Sequence, residues 1–165
     1  MKWLRILAFI GSLGLVPSGL RAAEGTNLLT VEDLKAYYGE TFTVTPDPKP
    51  TDPVAGGGGK LLQLTFMAME PQVRVATLLI RESESPAAAH KAAEAVRTQY
   101  GKMGIKIEDA PGIGELAFFF GRQLVFAKGN ESFVLAVPGL KKDHDPVQCH
   151  AAAVELAKKI AERVK

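Results

Sequence analysis

The sequence predicts an α+β domain: a single antiparallel sheet of about five to six strands flanked by three helices. Two observations carry this. Three segments repeat apolar residues at helical spacing behind recognisable start signals, and a run of short apolar segments is separated by glycine-containing connections of hairpin length. Hairpins join antiparallel strands, so the sheet is expected to be antiparallel with the helices laid against it.

In chain order, Thr30 to Gly39 (TVEDLKAYYG) reads as a short helix. Thr30 is placed to cap it, Glu32 and Asp33 sit in the first turn where the helix dipole favours acids, and Gly39 ends it. Val31, Leu34 and Tyr38 form the stripe that docks on the sheet. A brief strand is expected at Thr41–Val44, followed by a flexible connector over 45–59. Four prolines remove ladder donors from this connector, and Gly56 to Gly59 add backbone freedom. No Lys-Ser or Lys-Thr pair and no helix start follows those glycines, so they do not read as a phosphate loop.

Lys60–Met69 and Gln72–Arg81 read as two strands turning at Glu70-Pro71. Leu62, Leu64, Phe66 and Ala68 share one face of the first strand, and Val73, Val75, Thr77 and Leu79 one face of the second. The opposite faces carry Met67, Met69, Leu78 and Ile80, too apolar for a solvated surface. Either helices cover part of both faces, or these four residues form a face that takes a small apolar ligand or a partner protein.

Ser85 to Tyr100 is the clearest helix, with Ser85 as cap, Pro86 in the first turn, Ala89, Ala93, Val96 and Tyr100 in the buried stripe, and Gly101 as the stop. After Ile105-Lys-Ile107 comes a meander over Leu116–Phe120, Gln123–Lys128 and Ser132–Val137, turning at Gly121-Arg122 and Gly129-Asn130-Glu131. Asp145-Pro146 opens the last helix, whose expected stripe is Val147, Ala151, Val154, Ala157, Ile160, Ala161 and Val164. Lys158, Lys159, Arg163 and Lys165 gather at its C-terminal end, where the dipole favours cations.

The N-terminal segment sets the expected compartment. Lys2 and Arg5 precede an uncharged, mostly apolar run over 6–16, and Pro17, Ser18 and Gly19 follow. This is the layout of a secretory signal peptide over 1–22, cut after Ala22 or Ala23, and the run is short of the roughly 20 apolar residues of a membrane span. Residues 23–165 then form a single domain that is periplasmic or secreted. With no cysteine near the cut, a lipid anchor is not expected. The chain has 20 Lys plus Arg against 18 Asp plus Glu; without Lys2, Arg5 and Arg21 the balance is 17 to 18. Nucleic acid and anionic membranes are therefore not expected partners. Cys149 is the only cysteine, so no disulfide can form within the chain.

Candidate chemistry is sparse. Glu108 to Phe120 (EDAPGIGELAFFF) contains G-x-G-x-x-A, but a dinucleotide site needs a helix directly after the glycines, and Leu116 to Phe120 reads as a strand. Gly112, Gly114, Gly121 and Gly129 are accordingly read as structural turns. His144, Cys149 and His150 offer three potential metal ligands within seven residues, the basis of an alternative reading as a metal handler or enzyme. Against it, adjacent residues on a helix point about 100° apart, and Cys149 lines up with Ala153, Leu156 and Ile160 as a buried thiol. His90 sits on a solvated helix face. The acidic pairs Glu82/Glu84 and Glu108/Asp109 lie at element ends and read as solvated. No catalytic motif is present, so no catalytic residue, cofactor or metal is expected.

Leu28 to Gly39, Pro111 to Phe118 (PGIGELAF), Leu124 to Gly129 (LVFAKG) and the closing amphipathic helix together resemble a group of small exported bacterial proteins with a PsbP-like layout, over about residues 27–164. Many of that group are lipoproteins and carry Asp where Glu115 stands here. The resemblance implies an antiparallel sheet flanked by helices and a non-enzymatic binding or accessory role in the envelope. A further alternative is a structural envelope component tethered by the Pro- and Gly-rich connector.

Overall fold

The computed structural model of the chain describes residues 27–47, 59–139 and 146–164. The segment read as a signal peptide and most of the segment read as connector lie outside these residues. The elements run α1 (Val31–Tyr38), β1 (Thr43–Asp47), β2 (Lys60–Ala68), β3 (Arg74–Glu82), α2 (Pro86–Lys102), β4 (Ile107–Asp109), β5 (Leu116–Phe120), β6 (Gln123–Lys128), β7 (Glu131–Ala136) and α3 (Pro146–Arg163). All seven strands join one open antiparallel sheet in the order β1-β2-β3-β7-β6-β5-β4. The expected class holds, with more strands than expected. The strands hardest to see in sequence are the two outermost, β1 and β4.

Helix starts follow their caps. The Thr30 hydroxyl accepts from the Asp33 N–H at 3.1 Å, while the Asp33 carboxylate accepts from the Thr30 N–H at 3.0 Å, a reciprocal capping box. Gly39 closes α1 in the left-handed region at φ 74°. Ser85 accepts from the Ala88 N–H at 3.2 Å, with Pro86 in the first turn of α2. Contrary to expectation, α2 runs through Gly101 to Lys102, and the left-handed residue after it is Gly104 (φ 76°).

The sheet carries unequal cover on its two faces. On one face α1 and α3 pack over Leu64, Phe66, Leu78, Phe133, Leu135, Leu124, Phe126 and Phe119, the main core. On the other, α2 sets Ala93 and Val96 against Phe118, Phe120, Val125 and Ala127, covering the β4-to-β7 side. The buried stripe of α3 is Cys149, Ala152, Ala153, Leu156, Ala157 and Ile160. Of the stripe read from sequence only Ala157 and Ile160 are fully buried; Val147 is 73 % exposed and Ala151 exposed, because the face towards the sheet is rotated by about one residue. Alanines at 152, 153 and 157 bring the helix backbone close to the sheet.

Two local readings change. β1 continues to Asp47, with Pro46 opposite Leu64, so pairing extends into the segment read as connector. An edge strand tolerates proline because half of its N–H groups face away from the ladder. The β2–β3 register also differs from a two-residue turn at Glu70-Pro71, which would set Met67 opposite Arg74. Ala68 pairs with Arg74 across a longer connection, so Met67 lies opposite Val75, Leu64 opposite Leu78 and Leu62 opposite Ile80.

A polar clasp ties α1 to the end of α3. Asp33 is buried, and its carboxylate accepts from Arg163 Nη2 at 3.0 Å, from Lys159 Nζ at 3.4 Å and from the Thr30 hydroxyl at 3.0 Å. Burial alone would raise the Asp33 pKa, but the bonds from Arg163 and Thr30 outweigh it and hold the carboxyl well below the usual range. A depressed folded-state pKa contributes stability that is present above the unfolded value near 4 and lost as pH falls below it. Asp33→Asn is therefore expected to cost roughly 1–3 kcal/mol at pH 7. In urea titrations the gap between wild type and variant should narrow at pH 3; an equal gap at both pH values would contradict the clasp.

Candidate functional site

On the second sheet face α2 packs on the β4-to-β7 side; on the β1-to-β3 side Leu79 and Arg81 of β3 are buried, and the end towards the β2–β3 turn is left exposed. Side chains here come from alternate positions, Gln63, Thr65 and Met67 on β2 and Val75, Thr77 and Leu79 on β3. Towards the β2–β3 turn this face is apolar and exposed: Met67 is 37 % exposed, Met69 63 %, Val73 62 % and Val75 42 %. Four neighbouring exposed apolar side chains on one hairpin end form a patch rather than scattered surface residues.

Leu78 and Ile80 do not belong to that patch. They are 0 % and 5 % exposed and sit in the main core beside Leu64 and Phe66. The physical reason is register: strand side chains alternate with period two, so shifting the hairpin by one residue exchanges the faces of an entire strand. Met67 and Met69 are joined instead by Val73 and Val75.

The patch opens onto a cleft of about 610 Å³ at the same end of the sheet. Val73 and Val75 form one wall; Phe120, Arg122 and Gln123 at the β5–β6 turn form the other, with Ala136, Val137 and Pro138 between them. Tyr100 of α2 stacks on Phe120 with ring centroids 4.1 Å apart, which marks where the covered part of the face ends. Arg122 is exposed at the turn, and no carboxylate of the described residues pairs with it, whereas Arg74, Arg97 and Arg163 are paired with Glu40, Asp109 and Asp33.

A buried polar network behind the cleft fixes its middle strand end. Arg74 Nε donates to Glu40 Oε1 at 2.7 Å, its Nη1 donates to the Gly139 carbonyl, and its guanidinium lies over the Tyr38 ring. The Tyr38 hydroxyl donates to the Pro138 carbonyl at 2.7 Å. Burial, reinforced by Tyr37 and Cys149, raises the Tyr38 pKa far above its ordinary value, so the hydroxyl remains a donor. Glu40 Oε2 is buried without a hydrogen-bond partner, leaving Arg74 as the compensating charge.

The other sequence candidates are dispersed. His144 lies outside the described residues. Cys149 is fully buried against the core, while the His150 ring stacks on Phe119 at 3.8 Å with Nε2 2.8 Å from the Gly121 carbonyl. These two side chains therefore have separate environments, and among the described residues no group of three His, Cys, Asp or Glu could hold a metal ion. Glu108 pairs with Lys106 and Asp109 with Arg97, so these carboxylates do not face each other as an acid–base pair. Gly112, Gly114, Gly121 and Gly129 all have positive φ, and β5 begins at Leu116 with no helix after the glycines. That backbone lacks the helix N-terminus a pyrophosphate site requires.

Sequence reasoning missed Val73 and Val75 as companions of Met67 and Met69. The available signal was the shared odd numbering of these four apolar residues, usable once the connection is centred on Pro71. Phe120, Arg122 and Ala136 reach the cleft only through sheet order, for which the local pattern holds no signal. No helix of the described residues is long and apolar enough to cross a membrane.

No family model matches the chain, and neither a curated protein nor a solved structure matches it.

Proposed function

We propose that this chain is an exported, non-enzymatic binding or accessory protein of the bacterial envelope, PsbP-like in layout, that takes a small apolar ligand or an apolar part of a partner at the cleft beside Val75. The observation that carries the reading is the exposed Met67, Met69, Val73 and Val75 patch continuous with the cleft. Its volume falls in the range of about 300–1,000 Å³ usual for ligand sites, and apolar surface left in contact with water gains about 25 cal/mol per Å² on being covered. Export rests on the charged, apolar and small-residue order of residues 1–23.

The test is a fluorescence titration with a neutral apolar probe, N-phenyl-1-naphthylamine. Saturable enhancement is expected with wild type and at least about tenfold weaker binding with Val75→Asp, which places a charge against the apolar wall. Val147→Asp, on an exposed position of α3, should leave binding unchanged. Equal titrations for all three proteins would refute the site, and an intact Met1 on protein from its natural host would refute the export.

A further inference from the structure

We propose that the ligand of this cleft is an anionic amphiphile of the fatty-acid type, its acyl chain lying along Val73, Val75 and Phe120 and its carboxylate held by Arg122. The inference rests on the binding reading above and adds the ligand's chemistry. Three observations lead to it.

First, the walls divide by chemistry. Val73, Val75, Phe120, Ala136 and Val137 present carbon; of the polar lining residues, Arg74 is buried and paired with Glu40, and Arg122 and Gln123 sit together at the β5–β6 turn. A molecule that fills the cleft therefore needs a long apolar body and one polar end. Second, among the described residues Arg122 lacks a carboxylate partner while Arg74, Arg97 and Arg163 each have one. A guanidinium presents a planar fork of donors that matches a carboxylate bidentately, which makes the polar end an anion.

Third, most of the backbone around the cleft is already paired. β3 lies between β2 and β7, β7 between β3 and β6, β6 between β7 and β5, and β5 between β6 and β4. Among the described residues only Arg74, Val75 and Ala76 of β3 run past the last β3–β7 pair, Thr77 with Ala136, a stretch too short for an extended peptide to gain the main-chain hydrogen bonds that are the usual source of affinity in strand addition. A flexible acyl chain needs only the side-chain surface that is present.

Displacement of N-phenyl-1-naphthylamine from the full chain by laurate, by dodecanol and by dodecyltrimethylammonium, all below their aggregation concentrations, tests the inference. Laurate should compete about tenfold better than dodecanol, the ammonium should compete no better than dodecanol, and the laurate preference should shrink in high salt because Arg122 is exposed. Arg122→Gln should bring laurate to the level of dodecanol, and Arg122→Lys should retain part of the preference. Equal competition by laurate and dodecanol, with probe binding still dependent on Val75, would overturn the anionic ligand and keep the binding site. Absence of saturable probe binding would instead defeat the earlier reading. An apolar peptide with a free C-terminus that outcompetes laurate, or self-association that buries Met67 and Val75, would overturn the amphiphile in favour of a protein partner or a second copy.

Discussion

Gly114→Ala is expected to lower stability by at least about 3–4 kcal/mol, a large part of the roughly 5–15 kcal/mol available to a domain of this kind. Two costs coincide at this residue. Its φ of 59° lies in the left-handed region, where an L side chain costs about 1–2 kcal/mol. A Cβ would also stand 2.1 Å from the Ala127 carbonyl oxygen and 3.1 Å from its carbon. That oxygen is backbone and cannot rotate aside. It accepts the Glu115 N–H at 2.9 Å, so relieving the clash opens the bond that starts the β5–β6 ladder.

Gly112 separates these two costs. It has a φ of 87° but no atom within 4 Å of a Cβ position, so Gly112→Ala should carry only the conformational cost of about 1–2 kcal/mol. In thermal melts Gly114→Ala should fall by roughly 10 °C or more and Gly112→Ala by only a few degrees. Equal shifts would mean that the close approach to Ala127 does not decide the effect. The G-x-G spacing thus serves a turn that lets β5 pass tightly against β6; a phosphate site would have needed a helix where Leu116 begins a strand.

Features fixed by a few neighbouring residues were legible in the sequence. The Thr30 and Ser85 caps, the Gly39 stop and the turns at Gly121 and Gly129 each depend on local backbone geometry, and the structure has them where they were expected. The faces of β2 and β3 were half legible. Alternation along each strand was right, but joining the two strands required the register, and one residue of register decides whether Met67 keeps company with Leu78 or with Val75. The burying face of α3 was half legible too: Cys149, Ala153, Leu156 and Ile160 are buried as their spacing predicts, but alanine and valine occur all around the helix, so the stripe drawn through Val147 and Ala151 falls on an exposed flank.

Least legible were contacts between distant parts of the chain. Asp33 reads as a first-turn acid, yet its partners Lys159 and Arg163 lie more than a hundred residues away. The cleft likewise depends on β7 inserting between β3 and β6, which brings Val75, Ala136 and Gln123 into one wall system. Nothing in the spacing of those residues encodes that order.

Arg74→Met is the second change expected to have a large effect, about 3–5 kcal/mol. Both members of the Arg74–Glu40 pair have side chains only 8 % exposed. Removing the guanidinium strands a buried carboxylate that already has one unpartnered oxygen, and breaking a buried pair from one side typically costs that much. The loss extends to the Gly139 carbonyl and the Tyr38 ring, which the same guanidinium contacts. Comparison with Glu40→Met and the double variant separates the terms. If stranded charge dominates, the double variant should be more stable than Arg74→Met, because two apolar side chains need no compensation. Its recovery should be incomplete, since the Gly139 carbonyl still lacks the Arg74 donor. Because Pro138 lines the cleft and Gly139 follows it, the double variant should also bind the apolar probe more weakly even where its stability recovers. Full recovery of both stability and probe binding would show that Arg74 only neutralises Glu40 and does not hold the end of β7 in place.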